Sequence, residues 1–124
     1  MCGADYLIFF GDIYMANSLN SVEQMMLEKI NKAIKIIDSY DIKYIEYGVF
    51  GSAARGNYKI TSDIDIAMLV DAMPEKMVLS NLRCDLDEIG CDFAVLYKHN
   101  YEQPTTAFQK EVKRDYRRLK LYGE

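Results

Sequence analysis

At 124 residues and 14.3 kDa, the chain has room for one domain and one core, not for a catalytic domain plus a separate substrate domain. Half of it is apolar and 27% is charged, the balance of a soluble globular protein, and a net charge of −4 excludes nucleic-acid binding by bulk charge alone. The charge is uneven: Pro104 to Glu124 carries Lys110, Lys113, Arg114, Arg117, Arg118 and Lys120 against Glu111, Asp115 and Glu124, so this tail is +3 and residues 1–103 hold the remaining −7.

Residues 1–14 contain one apolar run, Tyr6 to Phe10, with no basic segment before it and far less length than the roughly 20 residues a membrane span needs. Met15-Ala16-Asn17-Ser18 resembles a natural chain start. Residues 1–14 therefore read either as an extra leader or as a short edge strand, with the domain proper at 15–124. Three Cys without metal-type spacing and a single His, His99, argue against both a disulfide framework and a Cys/His zinc site. Reduced thiols in the cytoplasm are the simple reading, with no membrane partner.

Ser21-Val22-Glu23-Gln24 has capping-box spacing, and Val22, Met26, Ile30, Ala33 and Ile37 recur at helical intervals, which predicts an amphipathic helix from about 21 to 39. Lys43 to Phe50 is β-branched and aromatic and stops at Gly51, the pattern of a strand. Ser52 to Asn57 suits a tight turn or one helical turn. Asp63 to Val70 is a second strand. Pro74 suits a helix start, Val78, Leu82, Leu86 and Ile89 its buried stripe, and Gly90 its end. Cys91 to Tyr97 is a third strand. Phe108, Val112, Tyr116, Leu119 and Tyr122 predict a last helix whose other faces carry the basic residues. The order is helix, strand, strand, helix, strand, helix: one small α+β domain, a mixed β-sheet packed by helices.

Strand side chains alternate, so Asp63 and Asp65 point one way while Ile64 and Ile66 point the other. Two such carboxylates repel each other unless a cation stands between them, and hard oxygen ligands suit Mg²⁺. Alone, the pair would read as the solvent face of a polar strand. The upstream segment Phe50-Gly51-Ser52-Ala53-Ala54-Arg55-Gly56 changes this. Gly51 lets backbone approach a ligand closely, Ser52 adds a hydroxyl, Arg55 adds a cation, and a helix start offers free N–H groups to phosphate oxygens. Gly-Ser followed ten residues later by Asp-x-Asp arises by chance in roughly one chain of this length in several hundred. A two-metal site wants a third carboxylate. Asp92, on the Cys91–Tyr97 strand with Phe93, Val95 and Tyr97 facing away from it, is the best candidate. Asp85 and Asp87 fall on a helix and Asp71 in a loop.

Gly51-Ser52 with Asp63-Ile64-Asp65, from about Tyr47 to Val70 and extended by Asp92, resembles the minimal nucleotidyltransferases of the DNA polymerase β superfamily. The resemblance implies a mixed sheet packed by helices on one side and transfer of a nucleoside monophosphate from an NTP to a hydroxyl, with release of pyrophosphate. It implies that Gly51 and Ser52 hold the triphosphate of ATP or another NTP, that Asp63 and Asp65 ligate Mg²⁺, and that Asp92 is the third carboxylate and helps deprotonate the acceptor. A chain this short lacks an acceptor domain. The resemblance accordingly implies an antitoxin that transfers AMP to a tyrosine of a HEPN-type toxin. The alternatives are a binding module that neutralises its partner by contact, or transfer to a small molecule such as an aminoglycoside in a cleft completed by oligomerisation. His99 has no Arg at the spacing of a HEPN ribonuclease, so the chain is not the toxin half. Two readings of the basic tail stand: a solvated helix face, or Arg114, Arg117 or Arg118 meeting triphosphate or an acidic partner.

Overall fold

Among the described residues the first helix, α1 (Ser21–Asp38), buries Met26, Ile30, Ala33 and Ile37 of the stripe its periodicity predicts and leaves Val22 half-buried. The computed structural model describes residues 21–124; the readings made for residues 1–14 and for the segment up to Asn20 lie outside the described residues. After α1 come β1 (Glu46–Phe50), a single turn α2 (Gly51–Arg55), β2 (Ile64–Val70), α3 (Lys76–Glu88), β3 (Cys91–Tyr97), the short α4 (Lys98–Glu102), α5 (Ala107–Asp115) and β4 (Arg117–Leu121).

Among the described residues the sheet has four strands in the order β3-β2-β1-β4, with β1 antiparallel to both neighbours and β2 parallel to β3. Parallel pairing of β2 and β3 needs a crossover, and α3 supplies it. Helices α1 and α3 cover one face. There Ile64, Ile66, Met68 and Val70 of β2 meet Val49 of β1, Phe93 of β3, Leu119 of β4, Ile30 and Ile37 of α1, and Leu79, Leu82 and Leu86 of α3. The other face carries a second, smaller cluster of Phe50, Ala67, Leu69, Leu96, Val112 and Tyr116, beneath α5. Helices therefore lie on both sides of the sheet, with the larger core on the side of α1 and α3.

In α3 the buried positions are Leu79, Leu82 and Leu86, while Val78 and Ile89 pack partly buried beside them; the helix starts at Lys76, two residues after Pro74. The end of the chain is the main correction. Instead of one helix to Tyr122, α5 stops at Asp115, and Tyr116 turns extended (φ −58°, ψ 132°) to begin an edge strand. The stripe that looked continuous serves two layers: Val112 and Tyr116 pack in the smaller cluster, Leu119 in the larger. Pairing of Arg117–Leu121 with Glu46–Val49 satisfies backbone groups of β1 that a helix would have left unpaired. The basic tail is accordingly not one solvated helix face. Lys120 is buried on the strand and donates to Asp38 Oδ1 of α1 at 2.6 Å. A capping box opens α5: Thr106 Oγ1 accepts from the Gln109 N–H at 3.1 Å, and Gln109 Oε1 accepts from the Thr106 N–H at 3.3 Å.

Candidate active site

The site forms where β1 ends beside the start of β2. Phe50 is level with Asp65 across the antiparallel pair, so the turn that follows Phe50 lies against the Asp65 side chain. Gly51 makes that turn at φ +69°, and a Cβ on it would run into the Asp65 carboxylate. Both facts require glycine: the left-handed conformation and the absence of a side chain. Helix α2 then closes with Ser52 C=O accepting from the Gly56 and Asn57 N–H groups, the latter at 3.1 Å.

Asp92 sits level with Asp65 on the adjacent parallel strand; Asp63, expected as the first residue of β2, stands just before the strand, and its charge acts on both Asp65 and Asp92. Asp65 is half-buried, while Asp63 and Asp92 are exposed. Burial pushes the Asp65 carboxyl up to about 6, and the charges of Asp92, Glu111 and Asp63 push the same way against the opposing Arg55. Asp92 is raised as well, by burial first and then by Asp63 and Asp87. The fold thus gathers acidic groups on one rim at an electrostatic cost, a pattern typical of functional sites.

The chemistry of this donor set fits a hard divalent cation. Its oxygens are hard, they repel one another, and a cation would relieve the repulsion. Among the described residues, no three acidic, Cys or His side chains stand close enough to make a closed ligand cluster, so cation binding would draw the carboxylates together.

Arg55 has a protein partner. Its Nη1 lies 2.6 Å from Oδ2 of Asp115, which is almost fully buried and also takes Arg114 Nε on Oδ1 at 2.9 Å and Arg114 Nη2 on Oδ2 at 3.0 Å. Arg55 therefore ties α2 to α5, with its charge still felt at Asp65. In the sequence, Glu111 and Asp115 are simply acids within a basic tail. Their i, i+4 spacing beside Val112 was the available signal that both lie on one flank of the helix that covers the site. A cavity of about 410 Å³ adjoins Asp92 at the open edge of the sheet, lined by Arg83, Cys84, Asp87, Cys91, Asp92 and Phe93.

With this geometry in place, residues 28–121 match the family model described as polymerase beta, nucleotidyltransferase. The chain belongs to that nucleotidyltransferase family. The match spans both Gly51-Ser52 and the three carboxylates, and it runs through β4. Among solved structures, the chain is similar to a toxin–antitoxin crystallised with AMP-PNP, at 24% identity over 72% of this chain and 70% of that one, with a TM-score of 0.53. It is also similar to a chain in the complex of tri-AMPylated Shewanella oneidensis HEPN toxin with its MNT antitoxin, at 22% identity over 77% and 71%, with a TM-score of 0.50. At these identities the likeness establishes the nucleotidyltransferase fold. No curated protein matches the chain. Among the described residues, no helix of this nucleotidyltransferase domain is long and apolar enough to cross a membrane.

Proposed function

We propose that this nucleotidyltransferase moves AMP from ATP to a tyrosine hydroxyl of a HEPN-type toxin in the cytoplasm, acting as its antitoxin. The observation that carries the proposal is the level placement of Asp65 and Asp92 on neighbouring strands, with Gly51 against Asp65 and the charge of Asp63 acting on both carboxylates. Gly51 and Ser52 seat the triphosphate: the glycine leaves room for phosphate oxygens beside the backbone, and the serine hydroxyl offers a donor. Asp63, Asp65 and Asp92 are the groups that would hold Mg²⁺, which when bound would neutralise phosphate charge and acidify the acceptor hydroxyl. Asp92, exposed on β3, is open to an incoming acceptor and takes the hydroxyl proton. The acceptor oxygen bonds to the α-phosphorus, the bond to the β-phosphate oxygen breaks, and pyrophosphate leaves. Arg55, held by Asp115, keeps the α2 turn in place and lends positive charge near Asp65.

The nucleotide analogue in one structural neighbour and the AMPylated toxin in another support the choice of donor and acceptor. Incubation with Mg²⁺, ATP labelled at the α-phosphate and the HEPN-type partner proposed here tests it. The wild type should release pyrophosphate and label the partner on tyrosine, and Asp63→Asn and Asp65→Asn should do neither. If both variants protect cells as well as the wild type, neutralisation works by contact and the proposal fails.

A further inference from the structure

The loop that delivers Asp63 has an anchor outside the carboxylate rim. Between α2 and β2 the chain makes a small turn, closed by Ser62 N–H donating to Lys59 C=O at 2.8 Å and Lys59 N–H donating to Ser62 Oγ at 3.2 Å. Lys29 reaches this turn from α1. Its ammonium donates to Tyr58 Oη at 2.9 Å and to the Ser62 carbonyl at 3.4 Å. The same side chain lies across Gly90, the turn before β3. That glycine has φ +81°, and a Cβ on it would fall 2.8 Å from Lys29 Nζ and 3.2 Å from Cε. Gly90 C=O in turn accepts from the Ile64 N–H at 3.0 Å.

One side chain therefore touches both segments that enter the site. Ser62 and Ile64 flank Asp63, and Gly90 stands two residues before Asp92. The ammonium donates to a hydroxyl and a carbonyl, not to the acidic rim. A cation paired directly with Asp63 would compete with a metal for its lone pairs. A cation bound to the backbone next door holds the carboxylate in place and leaves those lone pairs available.

We infer that Lys29 is a positioning residue of this site: it locks the Tyr58–Asp63 loop to the turn between α3 and β3 and so sets where Asp63 stands relative to Asp92. The purpose assigned to this lock rests on the nucleotidyltransferase reading above; the lock itself is geometric. Lys29→Met keeps the aliphatic stem over Gly90 and removes the donors, Lys29→Arg returns donors, and Tyr58→Phe removes one acceptor without touching α1. In metal-free protein, Lys29→Met should speed hydrogen exchange at the Ser62 and Ile64 amides by roughly tenfold while leaving Met68 in mid-strand unchanged. Tyr58→Phe should act in the same direction and less. By electron paramagnetic resonance titration, Lys29→Met should weaken Mn²⁺ binding by about 10–100-fold, the scale seen for groups that orient metal ligands, and Lys29→Arg should recover most of it. Wild-type exchange at Ser62 and Ile64 in Lys29→Met, or undiminished Mn²⁺ affinity, would overturn the inference. A wild-type protein that binds no Mn²⁺ would defeat the metal reading of the carboxylates, and the exchange result would still decide the role of Lys29.

Discussion

The two faces of β2 are made by alternate residues of one strand, yet they do opposite things. Ile64, Ile66, Met68 and Val70 face α1 and α3 and are essentially inaccessible, in a core with aliphatic neighbours on every side. Asp65 faces the other way, half-buried among Asp92, Glu111 and Asp63, on a face only partly covered by α5. One side gains stability from burial; the other gives some back by crowding like charges. Because the period of a strand is two residues, the rigid face and the reactive face cannot slip relative to each other without exchanging every side chain. The stable core thereby positions the costly site.

Asp65→Asn breaks the comparison most sharply. Transfer should fall by about 10²–10³-fold or more, the scale for losing one preorganised electrostatic group. Melting of the metal-free protein should hold or rise at pH 7. Asp65 has a raised native pKa, so its charged form opposes folding above the ordinary carboxylate range and the substitution removes that opposition. A fall in both activity and melting temperature would show that Asp65 is structural. The neighbouring Ile66→Ala does the reverse. Denaturant unfolding should show a loss of about 2–5 kcal/mol, with residual activity per folded molecule, because a cavity opens in the main core.

Gly51→Ala tests the seam between the two faces. It should cost about 1–3 kcal/mol from the left-handed backbone alone. It should also reduce transfer out of proportion, since the new methyl meets the Asp65 carboxylate. Thermal unfolding alongside the transfer assay separates the two losses. The smallest effect is expected at the tie between α2 and α5. Arg114 first, and Arg55 with it, holds the Asp115 carboxyl below its usual range against the opposing effect of burial. Its stabilisation is therefore present above the ordinary carboxylate pKa and lost as pH falls through the lowered native value. Asp115→Asn should lower stability at pH 7 by about 1 kcal/mol, because both arginines are substantially exposed and screened. It should also flatten the acid limb of the stability profile below about pH 4. An unchanged acid limb would mean that the two arginines do not favour the charged form of Asp115.

Legibility in the sequence followed the range of the interaction. The stripe of α1 and the stop at Gly51 are properties of residues a few positions apart, and the structure has them as read, whereas the strand expected from Asp63 begins one residue later, at Ile64. The last segment misled because Val112, Tyr116 and Leu119 fit a helical period, while the open edge of β1 recruits Arg117–Leu121 as a strand. Likewise the sequence offers Arg55 as a cation for phosphate, and only the fold pairs it with Asp115 of α5, sixty positions along the chain.

By itself, then, the sequence determined the local chemistry: a glycine turn, two carboxylates at and just before the start of one strand, a third on another strand, and the family they mark. Tertiary structure alone decided that β3 lies parallel and level with β2, so that Asp92 meets Asp65. It also decided that Glu111 adds its charge there and that Lys29 reaches across from α1 to Ser62 and Gly90. The division is physical. Alternation and helical period are written into neighbouring residues, whereas strand order and ion pairing depend on which distant surfaces the core brings together.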